Sequence, residues 1–138
     1  RSKILLNRVY QILNKKISKK KITFLGVTFK ANTDDMRDSS RRKMITWLSK
    51  KGAMINYFYP TGYKNEFSKL KNVSHKTTIK SAIEGSDLVI IHTEWNDFKS
   101  INFKNLVKGK KFIIFDMRNI YSSTKIEDQG FKYYRIGK

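Results

Sequence analysis

Apolar residues fall along this chain in two alternating rhythms. Over 3–17, Leu5, Val9, Ile12, Leu13 and Ile17 recur at helical spacing, with Arg8, Asn14 and Lys15 elsewhere on the wheel, so an amphipathic helix with one face to bury is predicted. The rhythm then changes to a short continuous run, Ile22 to Leu25, bounded by lysines and Gly26. Such a run reads as a strand buried on both faces. A polar segment leads into a second helix from about Ser40 to Lys51, with Met44, Ile45 and Leu48 inward, Asp38 or Ser39 as N-cap and Gly52 as the stop. Met54 to Tyr59 reads as the next strand, closed by Pro60, followed by a short helix around 65–70 and an edge strand near Val73.

The second half repeats the alternation. Ile79, Ala82 and Ile83 predict a turn or two of helix ending at Gly85, and Asp87 to Ile91 is the clearest buried strand. Trp95 and Phe98, then Phe103, Leu106 and Val107, belong to short helices. Phe112 to Phe115 is a strand that runs out into Asp116-Met117-Arg118. Thr124 with Glu127 matches a capping box, opening a helix that Gly130 ends, and Phe131 to Ile136 is the last strand. Strand and helix alternate without a tight hairpin signal. The fold class expected is therefore α/β: a Rossmann-like open parallel sheet with helices on both faces, in one domain.

Composition changes this picture little. The 138 residues suffice for one domain with a core. No apolar run approaches the roughly 20 residues of a membrane span, and a cytoplasmic address is the default expectation. The absence of cysteine removes disulfides, thiolate metal sites and a cysteine nucleophile from this chain. The formal charge of +19 raises the possibility of a nucleic-acid or other polyanion binder. Lysines are spread from Lys3 to Lys138, however, and the densest group (Lys15, Lys16, Lys19, Lys20 and Lys21) sits where a helix ends and cations are favoured. The charge is read as solvated surface. Asn72-Val73-Ser74 matches a glycosylation sequon and is read as chance.

Chemistry is expected at the carboxyl ends of the strands, where open α/β sheets bind ligands. Three polar segments should meet there: Phe29-Lys30 with Arg37, His92-Thr93-Glu94, and Asp116 with Arg118. One lysine and two arginines suit a diphosphate, the arginines as planar forks and the lysine as a compact charge. Equally, Lys30 can be one more surface lysine and Arg37 can pair with Asp34 or Asp38. The first strand-to-helix turn has Gly26 as its only glycine, where a dinucleotide fingerprint needs three. His75 and His92 lack partners at metal-ligand spacing, and Asp34-Asp35 more often fixes a loop than performs acid–base work.

Gly26-Val27-Thr28-Phe29-Lys30 followed by Asn32-Thr33-Asp34-Asp35-Met36-Arg37 resembles the start of the C-terminal, UDP-binding domain of the UDP-glucose/GDP-mannose dehydrogenase family, the UDP-glucose 6-dehydrogenases in particular. Gly52-Ala53 before a strand ending in Tyr59-Pro60, Thr93-Glu94-Trp95 with Phe98, Asp116-Met117-Arg118-Asn119-Ile120-Tyr121 and Ile136-Gly137 agree in order and spacing. The resemblance covers nearly all of 21–138. It departs at Tyr59, where the family commonly has aspartate, at Arg41-Arg42, and at His92, which replaces a more usual apolar residue.

The resemblance implies an enzyme that oxidises the C6 hydroxyl of UDP-glucose to a carboxylate with two NAD, giving UDP-glucuronate. It implies that Phe29, Lys30 and Arg118 contact substrate and that Arg37 reaches toward NAD, which an N-terminal domain would mainly hold. Residues 1–20 would be the end of a linker helix from a central segment, and 21–138 the nucleotide-sugar domain. The partners implied are UDP-glucose and the N-terminal and central domains of the same enzyme, itself a homodimer, with no membrane or nucleic acid. The chain alone would be inactive. A dehydrogenase acting on a UDP-N-acetylhexosamine or GDP-mannose is the alternative within the family.

Overall fold

The computed structural model describes residues 2–26, 39–58, 70–92, 96–107, 109 and 111–136. In chain order the elements are α1 (Ser2–Ile12), β1 (Lys21–Leu25), α2 (Ser39–Lys50), β2 (Met54–Phe58), β3 (Val73–Lys76), α3 (Ile79–Ile83), β4 (Leu88–Ile91), α4 (Asn96–Lys99), α5 (Phe103–Leu106), β5 (Ile113–Asp116), α6 (Ser123–Asp128) and β6 (Lys132–Arg135). The six strands form one sheet in the order β3-β2-β1-β4-β5-β6. Every neighbouring pair is parallel. This is the Rossmann-like architecture that the alternation predicts.

The continuous apolar runs of β1 and β4 follow from their central place, since each is covered on both faces. Alternate residues feed two separate cores. Ile22, Phe24, Ile55, Tyr57, Leu88, Ile90 and Phe115 pack beneath α1 and α2. Leu25, Val89, Ile91 and Ile114 pack beneath the helices of the other face, where Ile83, Phe98, Phe103 and Ile126 meet them. Each such side chain removed from water contributes about 1.5–3 kcal/mol. The edge strand β3 is only partly covered, which is why its sequence, Val-Ser-His-Lys, is mostly polar.

The buried polar groups of β1 and β2 are spent on the helix beside them. Thr23 Oγ1 donates to the Ala82 carbonyl at 2.6 Å, lies 2.6 Å from Ser86 Oγ, and Asn56 Nδ2 reaches the same carbonyl at 3.4 Å. That carbonyl belongs to the last turn of α3, where helical carbonyls lack intrahelical donors. Asn72 is equally committed. Its Nδ2 donates to the Ser49 and Ala53 carbonyls at 2.9 and 2.6 Å, so this asparagine holds the end of α2 against the approach to β3.

Three details differ from the sequence pattern. The first helix ends at Ile12 and not at residue 17, because Asn14 and Lys15 adopt left-handed φ values of 55° and 64°. Leu13 and Ile17 are buried all the same, since the turn folds back onto the core that α1 covers. The cap of α6 is Ser122, whose side chain accepts from Lys125 N, and not Thr124. Arg8, placed on the polar part of the wheel, is half-buried: its guanidinium donates to the Arg135 carbonyl at 3.2 Å and lies over the rings of Phe115 and Tyr134. It ties α1 to β6. The expected helix around 65–70, the strand end at Tyr59-Pro60 and the cap Asp38 lie outside the described residues, and Ser39 is the first residue of α2. Among the described residues no helix is long and apolar enough to cross a membrane.

Candidate functional site

Because all six strands run the same way, their carboxyl ends share one edge. The strand order reverses between β1 and β4: β2 and β3 lie to one side, β5 and β6 to the other. The crevice at such a reversal of strand order is where sheets of this kind take ligands. The ladder continues one residue past each strand. Gly26 N donates to the Phe58 carbonyl at 2.7 Å, His92 N to Leu25 at 3.0 Å and Met117 N to Ile91 at 3.1 Å. Gly26, His92 and Met117 thus stand side by side at the rim. With adjacent strands about 4.8 Å apart, the loops after β1 and β5 start about 10 Å from each other.

Of the residues expected to bind, Arg118 is placed by the structure on this rim, exposed to solvent. Phe29, Lys30 and Arg37 lie outside the described residues, as do Thr93, Glu94 and Trp95. The chain enters residues 27–38 from Gly26, two strands away from Arg118 in the sheet.

The turn that carries Arg118 is held by Asp116. This carboxylate is fully buried at the last position of β5. Its Oδ1 accepts from Arg118 N at 3.0 Å, an Asx turn. Its Oδ2 accepts from Tyr121 N at 3.0 Å and from Tyr133 Oη at 2.6 Å. The Tyr133 hydroxyl has one proton and a second acceptor in reach, the Tyr121 carbonyl at 2.9 Å. Asn119 takes the left-handed φ of 55° that closes the turn, and its Oδ1 lies 3.4 Å from Arg135 Nε. The Tyr121 hydroxyl donates to the Phe98 carbonyl and its ring meets Phe103 edge-on. Burial, then the Asp116 charge, then Tyr133 raise the Tyr121 pKa well above the ordinary tyrosine value. Burial and the hydrogen bond to Asp116 do the same for Tyr133.

Asp116 is therefore a support for the rim and not a ligand group on it. His92 is also beneath the rim: it is 1 % exposed and its ring centroid lies 5.2 Å from that of Phe24. Sequence reasoning placed Asp116 at the correct edge but did not find Tyr133, fifteen residues beyond Arg118 in the chain. The available signal was a carboxylate ending an otherwise apolar strand, which has to be satisfied by donors from somewhere.

Gly26, the last described residue before the first strand-to-helix turn, has φ 79° and its N–H is committed to the Phe58 carbonyl.

Comparison with known proteins identifies the family. The chain is 33 % identical over 141 residues to a UDP-glucose 6-dehydrogenase of Rickettsia bellii, covering 99 % of this chain and 32 % of that protein. It is 34 % identical over 136 residues to a UDP-N-acetyl-D-mannosamine dehydrogenase of Methanocaldococcus jannaschii, covering 96 % of this chain and 30 % of the relative. The chain thus spans about a third of the length of the curated relatives it matches. Among solved structures, an NDP-N-acetyl-D-galactosaminuronic acid dehydrogenase from Methanosarcina mazei Go1 superposes with a TM-score of 0.74 at 20 % identity, over 99 % of this chain and 28 % of that one. That likeness supports the fold. Residues 23–123, from the second half of β1 through the Asp116 turn, match the UDP binding domain of the UDP-glucose/GDP-mannose dehydrogenases, and the chain belongs to that family.

Proposed function

We propose that the rim grips the diphosphate of a UDP-sugar, and that the chain is the C-terminal nucleotide-sugar domain of a UDP-glucose 6-dehydrogenase. In that enzyme UDP-glucose is oxidised to UDP-glucuronate, with two NAD as successive hydride acceptors. The observation that carries the reading is an arginine on the exposed side of a turn whose backbone is anchored by a buried carboxylate. An anchored backbone lowers the ordering cost of presenting a guanidinium to a phosphate. Lys30 would add a second cation from the loop after β1, and Phe29 a further substrate contact. Arg37 would reach across to NAD, held elsewhere in the enzyme, because the first turn here offers it no glycine-rich cradle. Residues 1–20 would connect this domain to the segment that precedes it. The parent enzyme is expected to be a cytoplasmic homodimer.

The choice of glucose rests on the UDP-glucose 6-dehydrogenase relatives. A UDP-N-acetylhexosamine as substrate is the second reading, supported by the similarity to the Methanocaldococcus enzyme.

The test is steady-state kinetics of the full-length enzyme. Lys30→Ala and Arg118→Ala should each raise KM for UDP-glucose about 10- to 100-fold, the equivalent of a charged hydrogen bond worth about 1.5–3 kcal/mol. Arg37→Ala should act mainly on the KM for NAD. Unchanged constants for both ligands would refute the assigned roles. A preference for a UDP-N-acetylhexosamine over UDP-glucose would leave the diphosphate grip standing and overturn the choice of sugar.

A further inference from the structure

The sheet has a second concavity at its other end. Where β1 and β2 begin, the last turns of α1 and α2 and the loop into β1 border an open pocket of about 750 Å³ whose walls include Lys15, Lys16, Lys20 and Lys51 together with Tyr10 and Trp47. A five-residue strand at about 3.3 Å per residue separates this pocket from the rim by roughly 16 Å.

We propose that it is a second anion site, for a small ligand carrying two or more phosphates, and that a nucleoside triphosphate uses its aromatic walls as well. Lysines at helix C-termini are commonly explained by the helix dipole. Each terminus amounts to about half a negative charge, so the two helix ends here offset about one of four ammonium charges. Among the described residues that line the pocket, no carboxylate offsets the rest. Its described lining comes from two stretches, 7–20 and 47–51, that contain no Asp or Glu.

The backbone that carries these lysines is held in place. Lys15 and Lys19 adopt left-handed φ values of 64° and 65°. The loop is pinned by Lys15 N to the Tyr10 carbonyl at 2.8 Å, Lys19 N to Gly52 at 2.9 Å and Met54 N to Lys20 at 2.8 Å. Lys51 Nζ lies 5.3 Å from the Trp47 ring centroid, so this ammonium is kept at the pocket wall. Tyr10 and Trp47 are half-buried and add flat apolar surface of the kind that bases stack on. The volume is that of a small-ligand pocket, whereas a polynucleotide calls for a groove that tracks its backbone. A compact oligophosphate fits better.

The experiment is isothermal titration of the full-length protein with ATP and, separately, with inorganic tripolyphosphate, each with saturating UDP present to fill the rim. Both probes should bind, ATP more tightly, and added salt should weaken both. The double substitution Lys16→Gln with Lys51→Gln should weaken ATP at least tenfold and leave UDP affinity unchanged. The proposal is overturned by no binding of either probe, by equal binding in the variant, by ATP binding that UDP abolishes, or by loss of UDP binding in the variant. Binding of single-stranded RNA without either small probe would also overturn it, in favour of a nucleic-acid surface. If UDP itself fails to bind the unaltered protein, the rim reading is refuted, and the probes measured without UDP still decide this one.

Discussion

Replacing Asp116 by Asn changes one atom and should loosen the whole turn that presents Arg118. The carboxylate accepts three hydrogen bonds, from Arg118 N, Tyr121 N and Tyr133 Oη, and is fully buried. An amide has one acceptor oxygen. If it is kept toward Arg118 N, the new NH₂ faces the N–H of Tyr121, donor against donor. Tyr133 can adapt by turning its proton to the Tyr121 carbonyl, 2.9 Å away; the backbone N–H cannot. One buried donor left unsatisfied costs about 1–3 kcal/mol, and the surviving bond loses its charge assistance, about half its strength. Relief of the buried charge returns part of this. A net loss of about 2–4 kcal/mol is expected in urea unfolding at neutral pH, with an unchanged m-value. Tyr133→Phe, which removes a single bond, should cost about 1 kcal/mol. Combined with Asp116→Asn it should cost less than the sum, because the two share one bond. A loss below about 0.5 kcal/mol for Asp116→Asn, or strict additivity, would refute the account of the clamp.

Tyr121 makes stability depend on alkaline pH. Its pKa is raised on folding, so its contribution is complete below the unfolded value of about 10 and declines as pH rises through the folded one. Above pH 10 this single group should remove about 1.4 kcal/mol per pH unit. Tyr121→Phe should flatten the denaturation profile there relative to the unaltered protein; an identical slope in both would count against it. Gly52→Ala tests the turn between α2 and β2. The glycine has φ 96° and an added Cβ would lie 3.0 Å from Ser18 Oγ. A loss of about 1–2 kcal/mol is expected from the left-handed backbone, and adding Ser18→Ala should recover only the part due to the close contact. Full recovery would mean that the backbone is not strained.

The alternation of runs and amphipathic stretches was legible because each element's burial pattern is local. Leu88-Val89-Ile90-Ile91, continuous and branched, reads as a strand covered on both faces, and the sheet found has β4 near its middle. Helix ends were less legible. Leu13 and Ile17 prolong the apolar period of α1, yet Asn14 and Lys15 turn left-handed between them, since a turn can deliver side chains to the same core as a helix would. The cap at Ser122 was missed for a related reason: Thr124 with Glu127 satisfies the local rule as well, and the choice between the two depends on where the chain leaves the Asp116 turn.

What the amino-acid order determined by itself was the fold class, the edge on which chemistry is expected, and the motifs Gly26-Val27-Thr28-Phe29-Lys30 and Asp116-Met117-Arg118 that mark the family. These are written in short-range spacing. What only the tertiary structure decided was which polar groups stand exposed on that edge and which hold the scaffold. Asp116 and His92 sit at the same edge as Arg118, but the first is closed off by Tyr133 from the next strand and the second lies beneath the rim against Phe24. The lysines of residues 15–20 likewise became a pocket only when Lys51 and Trp47 were brought against them. Such assignments depend on partners far apart in the chain, and no local pattern encodes which of them will meet.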